Sequence, residues 1–162
     1  HEAGYLVLHP GASVPARAWP AHRCAEAVEA LTDAGHRVLV TGGPGERALT
    51  AAVAGARGVD LGGALDLAGL AALLDGAAAV VVGNTGPAHL AAAVGTPVVS
   101  LFSPVVPAAR WAPYGVPTVL LGDQDAPCRL TRARECPVPG HPCLASVTAD
   151  DVVAAVEELV SS

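Results

Sequence analysis

The stretch from Val80 to Leu101 constrains the fold more than any other part of this chain. Val80-Val81-Val82 is a short β-branched run closed by Gly83, which suits a strand covered on both faces. Asn84 or Thr85 can cap a helix, and Pro87 fits its first turn, where no amide hydrogen is required. Gly95 stops that helix, and Pro97 opens a second buried strand at a position where its missing donor is tolerated. The product is a βαβ unit. Its turn aims backbone N–H groups, the Thr85 hydroxyl and the His89 imidazole at one place, and such a helix N-terminus attracts anions, phosphates above all. An Asn-Thr-Gly turn by itself is equally an ordinary capped connection. His89, one turn into the helix and facing the same mouth, is what sets the ligand reading beside it.

The rest of the chain repeats this alternation. Tyr5-Leu6-Val7-Leu8 reads as a strand ending at His9-Pro10-Gly11, and Trp19-Pro20 leads into a helix reaching about Ala34. On that helix Cys24, Val28 and Leu31 share a face, so Cys24 is a small core residue. A strand is predicted over His36–Thr41, a helix from Glu46 to Ala54, and a strand near Val59-Asp60-Leu61. A further helix runs from about Asp66 to Leu74 with Leu67, Leu70, Leu73 and Leu74 as its core stripe. Beyond the central unit come a Pro-rich loop from Phe102 to Pro113, a strand at Thr118–Leu121 and a last helix from Thr148 to Val160, which opens with acidic residues. Strands alternating with helices through parallel crossovers define a doubly wound α/β sheet, Rossmann-like, in one domain spanning residues 1–162.

Composition removes several classes of function. With 52% hydrophobic residues but only 3% aromatic, the core must be built from Ala, Val and Leu. The formal charge of −6 and the single basic cluster at Arg129, Arg132 and Arg134 argue against nucleic acid, which needs a basic face. All basic residues are Arg; without Lys there is no P-loop lysine and no Schiff-base lysine. No run of residues approaches a membrane span, and the opening His1-Glu2-Ala3-Gly4 leads almost directly into a strand, as expected of a piece cut from a longer protein at a domain boundary. Four unevenly spaced Cys are too few for a disulfide scaffold and imply the cytosol. Cys128, Cys136, His141 and Cys143 have spacings that zinc would tolerate, but no Cys-x-x-Cys pair occurs, and a thiol or disulfide reading stands with no metal expected.

In a sheet of this kind ligands sit at the carboxyl ends of the strands. Here those ends carry His9 to Arg17, Gly42 to Glu46, Gly62 to Leu65, Gly83 to His89 and the chain from Ser103. Ser13 and Arg17 suit phosphate oxygens through a hydroxyl and a charged fork. Glu46 can accept from a vicinal diol such as ribose, although an acidic residue in a first helical turn also serves the helix itself. Neither a Gly-x-Gly-x-x-Gly turn after the first strand nor a Gly-x-Ser-x-Gly elbow is present, which weakens a dinucleotide or serine-hydrolase reading.

His9-Pro10-Gly11, Arg17-Ala18-Trp19-Pro20, Thr41-Gly42-Gly43-Pro44-Gly45-Glu46 and Asn84-Thr85-Gly86-Pro87-Ala88-His89-Leu90-Ala91-Ala92-Ala93 occur in this order along nearly the whole chain. With them the sequence resembles the C-terminal half of the ADP-heptose:lipopolysaccharide heptosyltransferases, glycosyltransferase family 9, of GT-B fold. The resemblance implies that Asn84, Thr85 and Gly86 contact the donor's diphosphate and sugar, with His89 beside the phosphates. It implies that Arg17 stands where the family usually has Lys, keeping the charge and gaining a bidentate fork, and that Ser13 is a hydroxyl of the same loop. Glu46 falls at the acidic position on the ribose, and Leu65 at the residue whose backbone meets the base. Asn84 replaces the family's usual Asp, which removes a charged contact to the sugar, and Ser103 replaces a usual Gly.

The function so implied is donor binding in an inverting, metal-independent glycosyltransferase. It would move a heptose-like sugar from a nucleotide diphosphate sugar to a glycan or glycolipid acceptor, without a cofactor and at the inner face of the membrane. The general base and the acceptor site are expected on an N-terminal domain absent from this chain, with Arg17 stabilising the departing diphosphate. A sugar-nucleotide epimerase half and a non-catalytic nucleotide-binding module are the alternatives.

Overall fold

A computed structural model of the chain describes residues 4–11, 19–83, 86–101, 116–121 and 147–160. In chain order the elements are β1 (Leu6–His9), α1 (Ala21–Asp33), β2 (Val38–Gly42), a 3-10 turn (Pro44–Glu46), α2 (Arg47–Ala54), β3 (Val59–Gly62), α3 (Leu67–Gly76), β4 (Ala79–Gly83), α4 (Gly86–Ala93), β5 (Val98–Leu101), β6 (Thr118–Leu121) and α5 (Ala149–Val160). The six strands form one sheet in the order β3-β2-β1-β4-β5-β6. Every pairing between neighbours is parallel.

Alternation along the central strands divides the core into two layers. Leu6, Leu8, Val38, Val40, Val81 and Val99 face α1, α2 and α5, packing on Cys24, Val28, Leu31, Val53, Val152 and Val156. Val7, Val80, Val82 and Val98 face α3 and α4, packing on Leu74, Ala88 and Ala91. The run Val80-Val81-Val82 is therefore sandwiched, each residue at most 1% exposed, as its β-branched composition predicts. Small residues on α4 let that helix lie close to the strands, which compensates for the shortage of aromatic side chains. Cys24 is buried, and burial pushes its thiol up to about 12.

The helix stops follow local chemistry. Gly35 after α1 and Gly95 after α4 adopt positive φ, a conformation that costs other residues more. Thr96 anchors the α3 and α4 ends together: its hydroxyl donates to the carbonyl of Leu74 at 2.5 Å, and the residue is 2% exposed.

One sequence expectation is overturned. Leu67 is not part of a core stripe but 73% exposed, while Leu74 is fully buried and Leu70 and Leu73 are half-buried. The helix reads LAGLAALLDG, apolar almost throughout, so periodicity cannot single out one face. Position in the fold decides: Leu67 is the first residue of α3 and lines an open cleft at the carboxyl ends of the strands.

The boundaries differ elsewhere by a residue or two. The helix expected from Glu46 begins as a 3-10 turn at Pro44, because Pro supplies no donor and fits a helix start. The Phe102–Pro113 loop and the segment holding Cys128, Cys136, His141 and Cys143 lie outside the described residues.

Candidate functional site

The strand order reverses between β1 and β4. From β1 the chain builds outward through β2 and β3, then returns to place β4 on the other side. Connections leaving β1 and β4 consequently depart to opposite faces, and a crevice opens above the carboxyl ends of these two strands. His9, the last residue of β1, sits at this point in register with Val82 of β4.

Beside it lies a cleft of about 220 Å³ lined by His9, Thr41, Gly42, Gly43, Leu65, Asp66, Leu67 and Leu70. Its construction follows from the strands. Alternation puts His9 and Thr41 on the α3 side, and their side chains meet: His9 Nδ1 lies 2.8 Å from Thr41 Oγ1. Gly42 and Gly43 bare the backbone along one wall. The opposite wall is the β3–α3 connection and the first turn of α3, where Leu65, Leu67 and Leu70 supply an apolar surface. Asp66 caps α3, its Oδ1 accepting from the Gly69 N–H at 2.7 Å. A slot with aliphatic side chains on one side and bare peptide on the other fits a flat, partly polar ring.

Glu46 stands at the rim, held by its own turn. Its N–H donates to the carbonyl of Gly43 at 3.0 Å, while its Oε1 accepts from the Gly43 N–H at 2.9 Å. The other carboxylate oxygen lies against Gly11: a Cβ built on Gly11 would stand 1.8 Å from Glu46 Oε2. The carboxylate thus connects the β2 turn with the root of the loop after β1, and Gly11 is what lets it approach. Burial lowers the His9 pKa below the ordinary imidazole value, and the negative charge of Glu46 opposes this in part. A second cavity, of about 10 Å³, lies at the same end of β1 against Trp19, Cys24 and Val81 of the other core layer.

Of the residues singled out from the sequence, Leu65 lines the cleft, Glu46 stands at its rim, and Gly86 opens α4. His89 is exposed on α4 and is not among the residues lining the cleft. Ser13, Arg17, Asn84 and Thr85 lie outside the described residues. Sequence reasoning passed over His9, Thr41, Asp66 and Leu67. The His9-Pro10-Gly11 end of the first strand carried the signal for His9, since the first strand of a doubly wound sheet flanks the crevice.

A parallel sheet in this order, with a glycine-walled cleft at the ends of its first two strands, defines a Rossmann-like α/β domain. Its topology is that of the half of a GT-B heptosyltransferase that it matches in solved structures. Residues 1–141 match the model of glycosyltransferase family 9 (heptosyltransferase), and the chain belongs to that family. It is 31% identical to lipopolysaccharide heptosyltransferase 3 of Escherichia coli, over 98% of this chain and 47% of the relative. It is 37% identical to lipopolysaccharide heptosyltransferase 1 of Pseudomonas aeruginosa, over 83% of this chain and 38% of the relative. The chain thus spans less than half the length of these curated relatives. Among solved structures, E. coli ADP-heptose lps heptosyltransferase II superposes with a TM-score of 0.80 at 22% identity, covering 99% of this chain and 47% of that one. E. coli heptosyltransferase WaaC with ADP superposes with a TM-score of 0.75 at 27% identity, covering 98% of this chain and 45% of that one. Among the described residues no helix is long and apolar enough to cross a membrane.

Proposed function

We propose that this chain is the donor-binding domain of an inverting GT-B glycosyltransferase that takes a heptose-like sugar from a nucleoside diphosphate and passes it to a glycan or glycolipid acceptor. The observation that carries the reading is the cleft at the ends of β1 and β2: an apolar slot between Leu65, Leu67 and Leu70 and the Gly42-Gly43 backbone, with the Glu46 carboxylate at its rim. The slot takes the base, and Glu46 accepts from the ribose hydroxyls. The diphosphate then lies over the crevice toward the N-terminus of α4, whose unpaired N–H groups and positive dipole end favour it. Arg17, Ser13 and Thr85 complete the anion site. Relatives with ADP and with ADP-2-deoxy-2-fluoro heptose, both structures of E. coli WaaC, support an ADP-sugar as donor.

Chemically, the acceptor hydroxyl attacks the anomeric carbon from the face opposite the diphosphate, which leaves with the bonding electron pair. This domain's part is to hold the leaving group and stabilise its growing charge. The base that takes the hydroxyl proton, and the acceptor site, belong to a second domain, so residues 1–162 alone bind donor and do not transfer it. Positioning by both domains is what lowers the barrier. The test is calorimetric titration with ADP, ADP-heptose and the corresponding CDP, GDP and UDP compounds. Saturable one-to-one binding of an ADP compound supports the proposal, and absence of binding by every nucleoside diphosphate refutes it.

A further inference from the structure

We propose that His9 is a proton-coupled binding residue whose imidazole takes up a proton when a nucleoside diphosphate occupies the crevice above it. The inference rests on the donor-site reading and adds to it a residue and a linkage. Three observations place His9 there. It ends β1 at the strand-order reversal, in register with Val82, so a ligand crossing from β2 to α4 passes over it. It lines the cleft, its side chain lying with Thr41 on the α3 side of the sheet. Its Nδ1 lies 2.8 Å from Thr41 Oγ1, and Thr41 is 2% exposed, which fixes the orientation of the ring.

The surroundings are balanced for a charge change. Burial favours the neutral ring, and Glu46 pulls the other way. The other titratable group lining the cleft among the described residues is Asp66. A diphosphate arriving in a half-enclosed crevice adds negative charge where screening by water is weak. That addition works in the same direction as Glu46 and tips the ring to the imidazolium. In the imidazolium both nitrogens are donors, Nδ1 to Thr41 Oγ1, and the cation faces the anion.

Linkage gives the sign. A ligand that raises the His9 pKa binds more tightly as pH falls, and the dissociation constant rises by up to about tenfold per pH unit between the free and bound pKa values. The experiment is isothermal titration of the chain with ADP near neutral pH in buffers of different ionisation enthalpy, for the parent and for His9→Gln. The terminal phosphate of ADP itself titrates at about pH 6, and the Gln variant measures that background. In parallel, the imidazole Cε1–H resonance of His9 in the parent is followed against pH with and without ADP, which needs no variant to fold. The expected result is net proton uptake in the parent, its loss in H9Q, and an upward move of the His9 titration on saturation with ADP. ADP binding with an unmoved His9 titration, or with uptake that survives in H9Q, overturns the role of His9 alone. No ADP binding by the parent overturns the donor-site reading and this inference with it.

Discussion

Leu67→Ala separates stability from binding more sharply than any other single change. The side chain is 73% exposed at the start of α3, yet it lines the cleft. Removing it deletes three carbons, worth at most about 2.4 kcal/mol at about 0.8 kcal/mol per buried methylene. In the empty domain only about a quarter of that area is out of water, so the loss in folding stability is under about 0.6 kcal/mol, offset in part because Ala is the better helix former. A base lying in the slot covers roughly half of what is now exposed, so binding weakens by about 1 kcal/mol, near fivefold in Kd. Leu74→Ala is the control: that side chain is fully buried, and its truncation costs about 2–5 kcal/mol of stability. Urea denaturation and ADP calorimetry on the two variants give the four numbers. A Leu67→Ala protein as unstable as Leu74→Ala, or one binding ADP with unchanged affinity, would refute the reasoning.

Arg17→Ala weakens ADP by about 1.5–3 kcal/mol, the usual worth of a charge-assisted hydrogen bond, and an unchanged Kd removes Arg17 from the site. Ser100 is fully buried and its hydroxyl has no partner among the described residues, so Ser100→Ala leaves stability unchanged or raises it by up to about 1 kcal/mol; a loss of that size would show a partner for the hydroxyl. Because burial holds the His9 pKa below its unfolded value, the folded state binds fewer protons there, and stability present above about pH 6.5 declines as pH falls below it. H9Q should flatten that limb of a stability-against-pH curve, and an identical acid limb in both proteins would contradict the assignment. Cys24, with its thiol pushed up to about 12, reacts with a thiol reagent only as fast as the domain opens; rapid labelling of Cys24 in the native state, located by peptide mapping, would contradict its burial.

The layers of this fold were legible because the central strands say the same thing at every level. Val80-Val81-Val82 has β-branched residues, no polar alternation and a closing glycine, and only a strand buried on both faces satisfies all three. Cys24 was placed correctly by its spacing to Val28 and Leu31, because α1 has a polar face to contrast with its apolar one. In α3 the same method failed at Leu67, since an almost uniformly apolar helix carries no such contrast. Leu65, singled out through the family resemblance, lines the cleft. Glu46 shows the limit of sequence reading: its carboxylate accepts from the Gly43 N–H and lies against Gly11, and one letter does not separate a helix-start role from a ligand role. The end of the first strand signalled His9, but its pairing with Thr41 was not legible because it comes from register between β1 and β2, which neither strand contains alone.

Amide chemical-shift mapping with ADP tests the central claim most directly, because the domain offers two well-separated cavities of similar size. One is the cleft at the carboxyl ends of the strands; the other, of about 200 Å³, lies at the opposite end between Tyr5, His36, Ala78 and Glu157. Binding of a nucleotide donor should perturb Gly42, Gly43, Leu65 and Asp66, together with Gly86 at the start of α4, and leave Tyr5, His36 and Ala78 in place. Perturbations centred on Tyr5, His36 and Ala78, with the Gly42–Gly43 and Leu65 amides unmoved, would contradict the account.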